Sequence, residues 1–180
     1  MFNFLVNKYK SISFLIISIC ILISVQSCKI SYSFTGASIS PDVKTISIQN
    51  IPNQAELVVP SLSQTCTEGL KDKFLSQTSL QLVNGTGDLN IEGEITDYRV
   101  KPMAIQSTAT TDVASLNRLT ITIMIRFSNA KDPKQNYSQS FSRFSDYASS
   151  QSLDAIEETL IKEILDQINE DIFNKALANW

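Results

Sequence analysis

The stretch Arg118 to Phe127, RLTITIMIRF, constrains the fold of this chain more than any other. Leu119, Ile121, Ile123, Ile125 and Phe127 alternate with Thr120, Thr122, Met124 and Arg126, the two-residue period of a strand buried on one side only. Such a strand needs paired neighbours and something apolar laid over its greasy face. The rest of the chain must supply both.

The neighbours are legible. VKTISIQNI, Val43 to Ile51, is β-branched and alternating and predicts a first strand, which PNQAEL breaks. Pro60 suits the first position of a helix, where its missing N–H costs nothing, and Leu62, Cys66, Leu70 and Phe74 continue an apolar stripe to about Thr78. SLQLV predicts a short second strand, and the Asn84-Gly85-Thr86-Gly87-Asp88 run is turn chemistry. LNIEGEITDYRVKPM alternates from Leu89 through Ile95, after which the apolar set shifts phase at Tyr98 and Val100, as a β-bulge would shift it. Residues 104–117, AIQSTATTDVASLN, are polar, small and unpatterned, and predict a long loop. After the turn SNAKDPKQ, NYSQSFSRFSDYA predicts a last strand that offers Tyr137, Phe141 and Phe144 to the core.

From Ser152 the period changes to three and four. Leu153, Ile156, Leu160, Ile164, Ile168 and Ile172 fall on one face of a long terminal helix. Asp154, Glu157 and Glu158 suit the positive end of its dipole, and Glu158–Lys162 and Asp171–Lys175 are spaced for i,i+4 pairs worth roughly 0.2–0.5 kcal/mol each. The predicted fold is therefore α+β: a two-layer sandwich whose mixed, mostly antiparallel sheet of four to five strands is covered on one face by two helices. The other sheet face is left for something else.

The start of the chain has a different character. Lys8 and Lys10 precede an uncharged run from Ser11 to Val25, whose length of about 22 Å as a helix falls short of a hydrocarbon core of about 30 Å. A basic start, an apolar middle and small residues at the end are the layout of a secretory signal peptide. Val25-Gln26-Ser27-Cys28 resembles the lipobox of bacterial lipoproteins, with Gln26 departing from the strictest pattern. This divides the chain into a lipoprotein signal peptide over residues 1–27, a Ser-rich lipidated tether over 28–42, and one folded domain over 43–180. Several acyl chains on Cys28 would make anchoring durable, since each buried CH₂ contributes about 0.8 kcal/mol.

The remaining bulk properties exclude more than they assign. The net charge is −3, and it becomes more negative once Lys8 and Lys10 leave, so no general nucleic-acid partner is expected. Cys20 leaves with the signal and Cys28 is acylated. Cys66 is then without a disulfide partner and fits a small buried hydrophobe. There is no histidine at all, which removes Ser-His and Cys-His catalysis and most zinc sites. The Gly85–Asp88 run precedes a strand rather than a helix and lacks the Gly-Lys-Ser/Thr ending of a phosphate loop. Glu92, Glu94 and Asp97 read as the solvated or partner-facing side of their strand. No enzyme, metal site or cofactor is expected, apart from the covalent acyl lipid on Cys28.

YSFTGASISPDVKTISIQNIPNQAELVVPSLSQTCTEGLKDKFLSQTSLQLV, GDLNIEGEITDYRVKPMAI, NRLTITIMIRFSN, FSRFSDY and DIFNKALANW together resemble the lipopolysaccharide-assembly lipoprotein family, LptE, in its Bacteroidota-type form. The resemblance implies an outer-membrane lipoprotein on the periplasmic face that plugs the lumen of an LptD-type β-barrel, assists its folding and helps pass lipopolysaccharide to the outer leaflet. It also implies that the partners are that barrel, lipopolysaccharide and the outer membrane through the lipid anchor. Lys29-Ile30-Ser31 carries neither the Asp that retains lipoproteins at the inner membrane nor an acidic surface-export run, in keeping with that address.

The candidate contact residues flank the long loop: Arg99, Lys101 and Arg118, with Thr110 and Asp112 inside it. Cations beside a polar loop can hold lipopolysaccharide phosphates by charge-assisted hydrogen bonds, and they are equally ordinary strand-end charges. Two other functions compete. A stand-alone periplasmic lipid or glycolipid carrier would need an enclosed apolar cavity, and a purely structural envelope lipoprotein would need no partner.

Overall fold

A computed structural model describes residues 39–57, 59–103 and 115–177. Cys28, Thr110, Asp112 and most of the predicted loop lie outside the described residues.

In chain order the elements are β1 (Thr45–Ile48), α1 (Leu62–Gln77), β2 (Gln81–Leu82), β3 (Leu89–Met103), β4 (Leu116–Asn129), a 3₁₀ turn at Pro133–Gln135, β5 (Tyr137–Ala148) and α2 (Leu153–Leu177). The strands form one sheet in the order β2-β1-β3-β4-β5. β1 runs parallel to both β2 and β3, whereas β3, β4 and β5 are antiparallel. The sheet is thus mixed, with its long pairings antiparallel, and the two helices lie on one side of it. This is the predicted two-layer α+β arrangement.

β4 lies at the centre of the antiparallel half. Leu119, Ile121, Ile123 and Ile125 are wholly buried and Phe127 nearly so, against Leu62, Leu70 and Phe74 of α1 and Ile164, Ile168, Ile172 and Phe173 of α2 in one apolar cluster. Phe74 and Phe173 meet edge to face with centroids 5.1 Å apart and join the two helices. Cys66 is wholly buried, and desolvation pushes its thiol up to about 12, so it packs as a hydrophobe.

The phase shift in β3 is a bulge. Ile95 pairs with Ile123 and Asp97 with Thr122, which leaves Thr96 as the extra residue. The bulge returns Tyr98 to the core side, opposite Ile121, where its hydroxyl donates to Glu157 of α2 over 2.6 Å. Gly93 precedes it, and the reason is contact: a Cβ there would lie 2.5 Å from the Met124 carbonyl oxygen.

Hydroxyls tie α1 to the strand layer. The Thr67 hydroxyl accepts from the Ile51 N–H at 3.0 Å, and the Ser63 hydroxyl donates to the Ile51 carbonyl at 2.6 Å. Asp88 clamps β1 to the start of β3. It accepts from the Lys44 and Thr45 backbone N–H groups and from the Thr45 hydroxyl, and it faces the Lys131 ammonium at 3.2 Å. The Lys44 N–H, followed by the Thr45 hydroxyl, holds this carboxyl well below the usual range.

Two local expectations are corrected. Phe144 does not join the core; it is 48% exposed. Neither predicted i,i+4 pair forms among the described residues: Glu158 makes no ion pair with Lys162, and Asp171 does not pair with Lys175. Asp171 takes a bidentate guanidinium from Arg143 of β5, at 2.6 and 2.8 Å, and Lys175 lies over the Tyr137 ring. A cross-layer arginine fork offers two hydrogen bonds where the i,i+4 lysine offers one.

Candidate functional site

The side of the sheet away from the helices is built row by row from register. Glu92, Arg126 and Ser138 form one row across β3, β4 and β5, followed by Glu94, Met124 and Ser140. Next come Asp97, Thr122 and Ser142, then Arg99, Thr120 and Phe144, and then Lys101, Arg118 and Asp146. The last row, Met103, Leu116 and Ala148, borders the 104–114 segment.

The face changes chemistry along its length. At one end, Glu92 and Glu94 are half-exposed, and Glu92 accepts from the Gln49 amide at 2.9 Å. The middle is a hydroxyl surface, with Thr122 and Ser142 hydrogen-bonded at 2.9 Å and the Ser138 and Ser140 hydroxyls directed at the Met124 sulfur. The far end collects the three predicted cations. Arg99 pairs with Asp97 at 2.8 Å. Arg118 forks onto Asp146 at 2.7 and 2.8 Å, and its guanidinium carbon stacks 3.6 Å from the Phe144 ring centroid. That fork raises the Arg118 pKa and lowers that of Asp146.

Lys101 stands directly across from Arg118 in register, and its side chain makes no hydrogen bond or ion pair among the described residues. Like charges set opposite one another on neighbouring strands repel, and Asp146 offsets only the Arg118 side. An anion at this end of the face would relieve the remainder. Arg99, Lys101 and Arg118 thus lie at one end of the face, and Phe144 and Asp146, which hold Arg118 flat, were not among the expected contacts. Parity was the available clue: Phe141 and Phe144 are three apart in one strand and cannot share a face.

Among the described residues no group of His, Cys, Asp or Glu side chains is placed to hold a metal ion, and no helix is long and apolar enough to cross a membrane. The described residues form a two-layer α+β module with one polar sheet face that none of them covers. The model of the LptE family, described as lipopolysaccharide-assembly, matches residues 43–176. The chain belongs to the LptE family, a family of cell-envelope lipoproteins associated with lipopolysaccharide transport, for which no cofactor is required.

Solved structures share the fold. A minor lipoprotein from Acinetobacter baumannii is 14% identical, with a TM-score of 0.51 over 76% of this chain and 94% of that one. A hypothetical protein from Chlamydia trachomatis is 9% identical, with a TM-score of 0.52 over 76% and 99%. A protein from Xanthomonas campestris is 12% identical, with a TM-score of 0.51 over 78% and 90%. At these identities the likeness concerns fold alone. No curated protein matches the chain significantly.

Proposed function

We propose that this chain is an outer-membrane lipoprotein, acylated at Cys28 on the periplasmic face, that sits as a plug in an LptD-type β-barrel. In that role it supports the barrel's folding and helps deliver lipopolysaccharide to the outer leaflet, with no chemistry of its own. Family membership supplies the lipopolysaccharide context. The observation that carries the reading is the sheet face that no described element covers, whose cationic end brings Arg99, Lys101 and Arg118 together at the ends of β3 and β4 that residues 104–114 connect in sequence.

In this reading each side chain has a task. Arg118, flattened on Phe144 and held by Asp146, presents a fixed guanidinium edge. Lys101, opposite it, supplies a mobile ammonium, and a phosphate between them would accept charge-assisted hydrogen bonds from both. The hydroxyl rows at Thr120, Thr122 and Ser142 can hydrogen-bond a polar barrel lining without burying apolar surface.

The test is mild-detergent purification of the tagged protein from its own outer membrane, with the stoichiometry of what accompanies it. The expected result is a near one-to-one large β-barrel that misfolds or disappears when the lipoprotein is depleted. Recovery of the lipoprotein alone, or with lipid and no barrel, would overturn the plug reading in favour of a carrier. For the contact residues, a variant with Arg99, Lys101 and Arg118 reversed to Glu should lose lipopolysaccharide binding while remaining folded. Unchanged binding would remove them from the site.

A further inference from the structure

The sheet ends in two edges, and they are built differently. At one, β2 is two residues long. At the other, β5 runs twelve residues, from Tyr137 to Ala148, in unbroken register with β4. The Ser149 N–H donates to the Ser115 carbonyl at 2.9 Å, which fixes the alternation along the pair. The backbone N–H and C=O groups of the odd-numbered residues, Tyr137 to Tyr147, therefore face β4. Those of Ser138, Ser140, Ser142, Phe144 and Asp146 face outward, where they meet no hydrogen-bond partner among the described residues.

A row of donors and acceptors at this spacing is complementary to another extended backbone, and proteins commonly blunt such edges with lysine, proline, a bulge or a free charge. β5 has no lysine, proline or bulge. Its two charges are both engaged within the domain: Arg143 forks onto Asp171 of α2, and Asp146 holds Arg118 of β4. The edge is left long, regular and electrically neutral.

Two side chains beside it define what an incoming strand carries. Phe144, on the open face, stays exposed although Arg118 stacks on its ring. Glu163 of α2, on the helical side, accepts from the Ser145 hydroxyl at 3.2 Å and meets no cation among the described residues. Phe144 and Ser145 are consecutive, so adjacent positions of an added strand face them on opposite sides of the sheet. We propose that the β5 edge receives an extended segment of a partner polypeptide by strand addition, with an apolar residue beside Phe144 and, next to it in sequence, a lysine or arginine reaching Glu163. A second copy of the chain fits less well, because β5–β5 pairing about a twofold axis would set the Glu163 and Asp171 flanks of two α2 helices against each other. The proposal stands independently of the plug reading.

The experiment is amide hydrogen exchange, followed by NMR, on the full-length, isotopically labelled chain in detergent micelles, with and without the capped peptide Thr-Thr-Val-Phe-Lys-Thr-Val-Thr. In the free chain Gln139, Phe141, Arg143 and Ser145 should be protected, and Ser140, Ser142 and Phe144 should exchange rapidly. The peptide should slow exchange at the second set, saturably. Glu163→Gln should weaken peptide binding about threefold. Ser140→Pro, which removes an outward N–H but no ladder bond, should abolish it. N-methylation of one alternate set of peptide residues should also abolish binding, and methylation of the other set should not. Protection of Ser140, Ser142 and Phe144 in the free chain would overturn the proposal, in favour of an edge covered by the chain itself or, where protection rises with concentration, by a second copy. So would equal binding by the two N-methylated peptides, or an excess of the parent peptide that leaves these amides exchanging rapidly.

Discussion

The two sides of β4 were made by the same alternation and do opposite things. On one side Leu119, Ile121, Ile123 and Ile125 have no exposed surface and share one apolar cluster with residues of both helices. On the other, Arg118, Thr120, Thr122, Met124 and Arg126 lie in polar rows that no described element covers. The difference teaches that the pleat of a single strand separates the residues that hold the domain together from the exposed ones to which we assign recognition. A change on one side should unfold the domain, and a change on the other should leave it standing with its binding altered.

The contrast is open to direct attack. The largest effect is expected from Phe74→Ala, which empties the contact that joins the helices: unfolding in denaturant should show a loss of about 3–5 kcal/mol. A loss below 1.4 kcal/mol, tenfold in the folding equilibrium, would mean that the helical layer does not depend on this ring. Next is Gly93→Ala, where the new methyl meets the Met124 carbonyl and the Ile125 side chain of the neighbouring strand. Strand β3 must shift, at a cost of about 1–3 kcal/mol, readable in the same melt.

Asp88 gives a smaller, pH-dependent effect. Its carboxyl is held below the usual range by Lys44 and Thr45, so the stability it contributes is fully present above the unfolded value of about 4. That contribution is lost as pH falls toward the lower folded value. Asp88→Asn should therefore be less stable than wild type by a constant margin near neutrality, with the two curves converging below about pH 4. A margin that grew in acid would reverse the sign and refute the clamp.

The smallest stability effect is expected on the open face. Phe144→Ser removes the platform under Arg118 and should change stability by no more than about 0.5 kcal/mol, yet reduce lipopolysaccharide binding measured on the same preparation. Equal damage to both readouts would show that the open side is structural after all.

Much of this architecture was legible because it is written in periods. Leu119 to Phe127 at spacing two, and Leu160 to Ile172 at three and four, can bury their apolar sets in one way each. The apolar shift at Tyr98 announced the bulge because a strand that keeps its core side through an extra residue must skip a position. Cys66 was readable as core from its place in the Leu62–Phe74 stripe.

What lay beyond the sequence was which groups meet across the fold. Arg143 with Asp171, Tyr98 with Glu157, Lys101 opposite Arg118, and Asn169 over Gly69 depend on strand register and on how the helices seat on the sheet. Each such pairing joins residues distant along the chain. Spacing along the chain sets the face a side chain occupies, because that follows from local backbone geometry. The partner it finds there is chosen by packing between elements, which no local pattern encodes.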